Sequence, residues 1–399
     1  LFTQETELIG RKVTQQQYLA EMLSTGGHEV RVIDYDISGN RKGKKGIFIK
    51  WHVTKTVGRT HKGSSIFVIY PSIIKLPILN LVSLYFSHRS EINKQIREFK
   101  PEVIVGWGIF NSYLAANAAK KNNIPFVYYW IDALHLLTPS RLLKPFGMIL
   151  EKKTLKKSAL VLAVNQKLKD YVTSMGASPD QTRVVRAGIN LGQFNPALSG
   201  IDTRKVYGLG GKDFVLCFVG WLYHFSRLGN VLHALSKNSN TQLKLLIVGE
   251  GEAYNDLEIL RDRYKLGERI VFTGKKEHFE IPRLIAAADI CILPADPSEP
   301  VLQHMVPLKV YEYMAMKKPV ITTKLPGVMK EIGEGNGVIY VDQPKDIVKV
   351  AEELNNSGYA TLMRHGLVAS KFVGKHRWDR VIVEFEAVLK KVVEGKSSG

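Results

Sequence analysis

Residues 294–320 read PADPSEPVLQHMVPLKVYEYMAMKKPV, and this stretch concentrates the groups best suited to chemistry. A proline-rich loop runs into a helix beginning near Pro307, a residue that suits the first helical turn. Backbone N–H groups around Met305, Val306 and Leu308, with Lys309 beside them, make a seat for a diphosphate. Glu312 lies on the same helix, and its carboxylate is fitted to accept hydrogen bonds from ribose hydroxyls. Its neighbours Val310, Tyr311, Tyr313 and Met314 argue against a fully exposed surface position. Upstream, Gly249-Glu250-Gly251 joins an apolar run at 243–248 to a helical stretch at 256–264. Glycine there permits a tight turn, and the following helix offers N–H groups to an anion. Gly220 ends the apolar run 214–219 in the same way.

The elements that must position these groups alternate. Strands are expected near residue 3 and at 28–35, 103–107, 126–130, 160–164 and 182–186. Helices are expected at 14–25, 112–121 and 166–175. After a Gly-rich, polar stretch at 196–213 the rhythm restarts, with strands at 214–219, 243–248, 270–272, 290–293, 319–322 and 338–341. Valine- and isoleucine-rich strands alternating with helices of about a dozen residues define an α/β chain of parallel sheets covered on both faces. In such sheets ligands bind outside the carboxyl ends of the strands. The 399 residues exceed what one core accommodates. The expected division is 1–197, 198–372 and a C-terminal helix at 373–399 packing back on the first domain.

Apolar residues at 45% and charged residues at 23% describe a globular protein. No apolar run reaches the length of a membrane span; the nearest, 71–86, is broken by Lys75 and Pro77. Cys217 and Cys291 sit in apolar strand-like runs and read as buried small hydrophobes. The net charge is +19, and residues 1–200 hold 28 Lys and Arg against 13 Asp and Glu. A polyanionic partner for that half follows, although a solvated basic surface has the same composition. Residues 40–62 carry eight cations and no acid, with Ile47, Phe48, Ile49 and Trp51 among them. Beside the apolar 71–86 segment, that pattern is expected of a contact with an anionic membrane surface. Residues 140–150 are a second such segment.

The ordered motifs FVG, VGEGEAYNDLEIL, ERIVFTG, AAADICILP and PLKVYEYMAMKKPVITT resemble the retaining glycosyltransferases of family 4, which have the GT-B fold. The similarity continues through Trp378 and extends into the N-terminal half, in GGHEVRVI, FKPEVIVGW, KNNIPFVYYW, SALVLAVN and VVRAGINLGQFNP. The resemblance implies two Rossmann-like domains facing across a cleft, with the nucleotide-sugar donor on the second.

It also implies roles for particular residues. The family has two glutamates flanking seven residues; the second corresponds to Glu312, on the ribose, and the first position holds His304, facing the donor sugar. The positions of the family's diphosphate-binding arginine and lysine hold Trp221 and Arg227, so Lys309 supplies further positive charge. The paired glycine near the start is reduced to Gly10. The family's His-Asp pair becomes Ile131-Asp132, with His135 nearby, expected toward the acceptor or the reacting carbon. Retaining transfer of this kind needs charge neutralised on the departing diphosphate, which cations and N–H groups accomplish without a metal or other cofactor.

The expected activity is transfer of a sugar from a UDP- or GDP-sugar donor to a lipid-linked or membrane-associated glycan acceptor. The expected location is cytoplasmic and peripheral to a membrane. The alternatives are a non-catalytic sugar-nucleotide-binding partner of the same fold, or a nucleotide-sugar isomerase or hydrolase. The sequence contains no helix-turn-helix, zinc ligand set or RNA-binding aromatic motif, so no nucleic-acid partner is expected.

Overall fold

The structure, a computed structural model, describes residues 1–5, 14–35, 47–58, 60–76, 79–137 and 143–397. It comprises two compact units, one formed by Leu1–Ala187 with Trp378–Gly399 and the other by Gly188–Arg377. The divisions fall near residues 188 and 378 rather than 198 and 373. The reason is local: the Ile189 N–H donates to the His376 carbonyl at 2.8 Å, and Ile189 bridges Arg377, so both strands of the crossing already belong to the second unit.

In chain order the strands of unit 1 are β1 (Phe2–Thr3), β2 (Arg31–Ile33), β3 (Phe48–Ile49), β4 (His52–Val57), β5 (Ser65–Tyr70), β6 (Ile73–Ile74), β7 (Ile104–Gly106), β8 (Phe126–Trp130), β9 (Leu160–Ala163) and β10 (Thr182–Val184). Eight of them form one sheet in the order β10-β9-β8-β7-β1-β2-β5-β4. All pairings are parallel except that of β4 with β5. β2 is shorter than the apolar pattern 28–35 suggests: it pairs with β1 at Val32 and Ile33 and with β5 at Arg31, Val32 and Ile33.

One face of this sheet packs against the helices Gln15–Thr25 and Trp378–Ser397. The latter presents Trp378, Val381, Phe385 and Leu389, at helical spacing, to Phe2, Trp107 and Tyr129. Trp378 stacks on Tyr18 with ring centroids 4.6 Å apart. Each such buried aromatic or aliphatic side chain contributes on the order of 1.5–3 kcal/mol, which explains why the chain's last helix returns to the first unit.

The described part of the basic segment 40–62 enters β3 and β4. β4 pairs antiparallel with β5, with Thr54 opposite Val68 and Lys55 opposite Phe67. The buried Glu21 carboxylate fastens the connecting loop by accepting hydrogen bonds from the Thr60 and His61 N–H groups, at 2.7 and 3.0 Å, and from the Thr60 hydroxyl. Burial alone would raise the pKa of Glu21; these bonds and that from Gln17 outweigh it and hold the carboxyl below its ordinary range. The apolar segment 71–86 contributes β6, which pairs with β3, and the first turns of the helix Leu79–Phe99.

Unit 2 holds β11 (Phe214–Val219), β12 (Leu243–Val248), β13 (Ile270–Gly274), β14 (Ile290–Leu293), β15 (Val320–Thr323) and β16 (Val338–Val341). They form one parallel sheet in the order β13-β12-β11-β14-β15-β16. Cys217 and Cys291 are partners in register at its centre, both free and buried. Burial pushes the Cys291 thiol far above its ordinary range, so it behaves as an inert small hydrophobe.

Candidate functional site

β11 and β14 lie side by side in unit 2, while the strands that follow each run to opposite edges of the sheet. The loops leaving their carboxyl ends therefore diverge, which opens a crevice at this topological switch point. Gly220 follows β11 with φ +139, and Gly249 and Gly251 follow β12 with φ +143 and +157. A Cβ on Gly249 would collide with the Gly220 carbonyl oxygen, and one on Gly251 with the backbone of Leu222. Two strand-end loops thus pack backbone to backbone, and the Leu222 N–H donates to the Glu250 carbonyl at 2.9 Å to lock them. Leu222 is buried, whereas Trp221 and Tyr223 on either side of it are 47% and 39% exposed. Tyr223 stacks on Phe225 at 4.5 Å.

The helix carrying Lys309 and Glu312 is Leu308–Ala315. Pro307 is its N-cap rather than its first helical residue, with φ −63 and ψ 129. The ring fixes φ at a value both positions share, so sequence alone does not separate them. Val310, Tyr313 and Met314 are buried. The Tyr313 hydroxyl accepts the Val219 N–H at the end of β11, at 2.8 Å. That anchor fixes the helix on the strand and leaves Lys309 and Glu312 on its half-buried side. The Lys309 ammonium lies 4.2 Å from the centroid of the buried Phe218 ring, and a Cβ on Gly220 would collide with Lys309 Nζ. A cation is thereby held at the mouth of β11, in contact with an aromatic face.

Glu312 is held as well. Its Oε1 lies 3.2 Å from His278 Nε2, with the two side chains 16% and 22% exposed. Arg227, a non-glycine residue at φ +50, donates from Nε and Nη2 to Asp296 Oδ2 at 2.9 and 2.6 Å. Hydrogen bonds from Ser298, and then from Arg227, hold the Asp296 carboxyl below its usual range. Part of the Arg227 guanidinium is therefore committed to a protein carboxylate, which the sequence reading did not include. His304, Met305 and Val306 are half-buried between the short 3₁₀ turn Pro300–Gln303 and the helix. Gly327 packs so closely on Met305 that a Cβ there would meet the Met305 carbonyl.

Two further sequence-predicted residues lie in unit 1. Asp132 follows β8, and desolvation pushes its carboxyl up to about 7. His135 is buried, with Nδ1 2.5 Å from Glu151 Oε2 and Nε2 2.9 Å from the Tyr171 hydroxyl. Both ring nitrogens are thus engaged within the unit. Burial raises the Glu151 pKa, and the His135 hydrogen bond and charge offset this only in part. Gly10 lies outside the described residues. Among the described residues, no group of three or more His, Cys, Asp or Glu is arranged to hold a metal ion. The residues that sequence reasoning missed are His278, Asp296 and Tyr313. His278 reaches Glu312 from 34 positions away and Asp296 reaches Arg227 from 69, whereas Tyr313 stands beside Glu312 and ties its helix to Val219.

The Asp132 shift has a measurable consequence. Below the ordinary carboxyl range both folded and unfolded forms are protonated, and Asp132 costs nothing. As pH rises toward 7 the unfolded chain ionises first, so the folded state loses stability, and the loss is complete above about 7. Asp132→Asn should match the wild type at pH 4. At pH 8 it should be more stable by roughly 2 kcal/mol, about half of what the full shift would carry, because part of the side chain meets solvent. Urea denaturation followed by tryptophan fluorescence at the two pH values measures this; equal stabilities at pH 8 would contradict the buried-carboxyl assignment.

Comparison with known proteins agrees with the geometry. The family described as glycosyl transferases group 1 matches residues 201–364, and that described as Glycosyltransferase Family 4 matches residues 14–193. The chain belongs to this glycosyltransferase group and has its GT-B fold. The uncharacterised glycosyltransferase MJ1607 of Methanocaldococcus jannaschii is 26% identical over 245 residues, covering 59% of this chain and 61% of that protein. The chain thus spans about three-fifths of that curated relative's length. A sucrose-phosphate synthase from Thermosynechococcus elongatus superposes with a TM-score of 0.78 at 16% identity, over 99% of each chain. Anabaena Alr3699/HepE, solved in complex with UDP, superposes with a TM-score of 0.73 at 15% identity, over 98% of this chain and 99% of that one.

Proposed function

We propose that this chain transfers a sugar from a UDP- or GDP-sugar to a lipid-linked or membrane-associated glycan, with retention of anomeric configuration. The observation that carries the reading is the pairing, on one short helix at the switch point of unit 2, of a cation against Gly220 with a carboxylate three residues on. A diphosphate and a ribose are the two parts of a nucleotide donor that need those groups. The UDP bound by the Anabaena protein of the same fold is consistent with this choice.

In this mechanism the bond between the anomeric carbon and the diphosphate oxygen breaks as the acceptor hydroxyl approaches on the same face. Lys309, Arg227 and N–H groups near Met305 and Val306 take up the charge developing on the departing diphosphate, which accepts the acceptor's proton. The step needs no metal. The same reading assigns His304 to the donor sugar and Asp132 to the acceptor.

The membrane part of the proposal rests on unit 1. Leu79, Val82 and Phe86, at helical spacing, are 47%, 47% and 64% exposed. Phe48 in β3 and Ile47 just before it are 54% and 61% exposed. Isolated exposed apolar residues are ordinary; a stripe beside a basic segment is what an interfacial contact requires. Lys42, Lys44 and Lys45 of that segment, and Ile78 and Pro77 beside the helix, lie outside the described residues, as do residues 140–142 of the second segment. No described helix is long and apolar enough to cross a membrane. The reading is therefore of peripheral association, at the cytoplasmic face.

Glu312→Ala tests the donor site directly. It should raise the dissociation constant for the nucleotide at least ~10-fold, the cost of a lost charge-assisted hydrogen bond. Calorimetric titration with UDP and GDP reads it; unchanged affinity in the folded variant removes Glu312 from the site.

A further inference from the structure

We propose that His278 and Gln193 form a positioning relay that aims the Glu312 carboxylate at the ribose and so sets discrimination between ribo- and deoxyribonucleotide donors. The proposal rests on the ribose reading of Glu312 and names the groups that enforce it.

The hydrogen-bond directions follow from the chemistry of the groups. Gln193 Nε2 lies 2.9 Å from His278 Nδ1 and 3.0 Å from the His278 carbonyl oxygen. The carbonyl can only accept, so the amide nitrogen, not the amide oxygen, faces the histidine. An amide N–H pointing at Nδ1 makes that nitrogen the acceptor, which leaves the ring proton on Nε2. Nε2–H therefore donates to Glu312 Oε1, 3.2 Å away. The chain of donors runs in one direction, from amide to imidazole to carboxylate, and ends on a group with remaining lone pairs for a ligand hydroxyl.

The relay is anchored at its far end. Asn190 Oδ1 accepts the Gly192 and Gln193 N–H groups, each at 3.1 Å, in a tight turn that fixes where Gln193 begins. The buried Phe194 ring meets the His278 ring edge to face, with centroids 5.6 Å apart. His278 itself lies between β13 and the helix Ile281–Ala286, on a segment that would otherwise choose its rotamer freely. Gln193 and Phe194 thus hold His278, and His278 alone touches the carboxylate oxygen of Glu312. A glutamate needed only for helix stability has no use for such an arrangement, whereas one that must present its second oxygen to a sugar hydroxyl does.

The test measures the affinities of UDP, 2′-deoxy-UDP and 3′-deoxy-UDP, and of the matching guanosine set, by calorimetry for the wild type and four variants. The readout is the ratio of deoxy to ribo dissociation constants, because general loosening of the site weakens all nucleotides alike and leaves the ratio unchanged. The wild type should prefer the ribonucleotide by ~10-fold or more, and Glu312→Ala should bring the ratio near one. His278→Ala should lower it at least ~3-fold, and Gln193→Ala should lower it in the same direction. His278→Gln, whose amide nitrogen falls where Nε2 stands, should restore most of it. A ratio that survives Glu312→Ala overturns the ribose reading, and the relay with it. A ratio lost in Glu312→Ala but intact in His278→Ala overturns the relay alone. Failure of His278→Gln to restore the ratio also counts against the relay.

Discussion

Lys309→Ala should lower turnover by about 10²–10³-fold while changing donor affinity by ~10-fold or less. The asymmetry follows from when the charge appears. Before reaction the diphosphate is a diester-like group whose charge is shared with the sugar bond; as that bond breaks, negative charge gathers on the departing oxygen. A cation already in place at that point stabilises the transition state more than the ground state, and removal of one preorganised stabilising group typically costs 10²–10³ in turnover. Lys309 is suited to this because its ammonium is fixed between the Phe218 ring and Gly220, so little reorganisation is needed when charge develops. Arg227→Ala should show the same sign with a smaller loss, ~10-fold, since the guanidinium is shared with Asp296. Steady-state kinetics with a labelled donor separate the two quantities. A rise in KM with unchanged kcat in Lys309→Ala would make it a ground-state binding residue and would defeat the assigned role.

Much of the architecture is legible in the sequence because the strands are apolar runs punctuated by glycine. β8, β11, β12, β14 and β16 match the expected runs residue for residue; β8, β11 and β14 are buried throughout and β12 everywhere but at Lys244, so an unpaired polar group at the buried positions would be costly. The hairpin of β4 and β5 is not legible, because SIFVIY is apolar at five consecutive positions and HVTKTV only at Val53 and Val57, so neither shows the alternation of a half-buried strand. The site divides in the same manner. Lys309, Glu312 and the three strand-end glycines stand in local motifs, so their types and spacing speak for themselves. His278 reaches Glu312 from 34 positions away, and Asp296 reaches Arg227 across 69. Those partnerships exist only because parallel strands deliver distant loops to one edge of a sheet. The Glu151–His135–Tyr171 set in unit 1 is of the same kind.

The second large effect concerns the exposed apolar stripe of unit 1. Replacing Leu79, Val82 and Phe86 together with Ser should lower partitioning onto vesicles of mixed neutral and acidic phospholipid by about 10²-fold. Each of these side chains is roughly half exposed, so its transfer into the interfacial region contributes on the order of 1 kcal/mol, and the three together about 3 kcal/mol. The folded state loses little, because the buried stripe of the same helix, Leu84, Ile92 and Ile96, is untouched. Charge contributes separately: each Lys or Arg near an acidic surface is worth about 1 kcal/mol, and Lys42, Lys44, Lys45 and Lys50 changed together to Gln should weaken binding at low salt. The two variants are distinguishable by their salt response. Salt screens the lysine contribution within a Debye length of about 10 Å at 0.1 M and leaves the apolar one largely intact. Wild-type binding should therefore fall toward a plateau as salt rises. The lysine variant should start near that plateau, and the apolar variant should lose the plateau itself. Neither variant should alter nucleotide affinity, since the substituted residues belong to unit 1 and the donor groups to unit 2. Co-sedimentation across a salt series, with neutral vesicles as the reference, measures all three curves. Wild-type protein that stays in the supernatant with acidic vesicles at low salt would rule out the membrane-borne acceptor and favour a glycan free in solution.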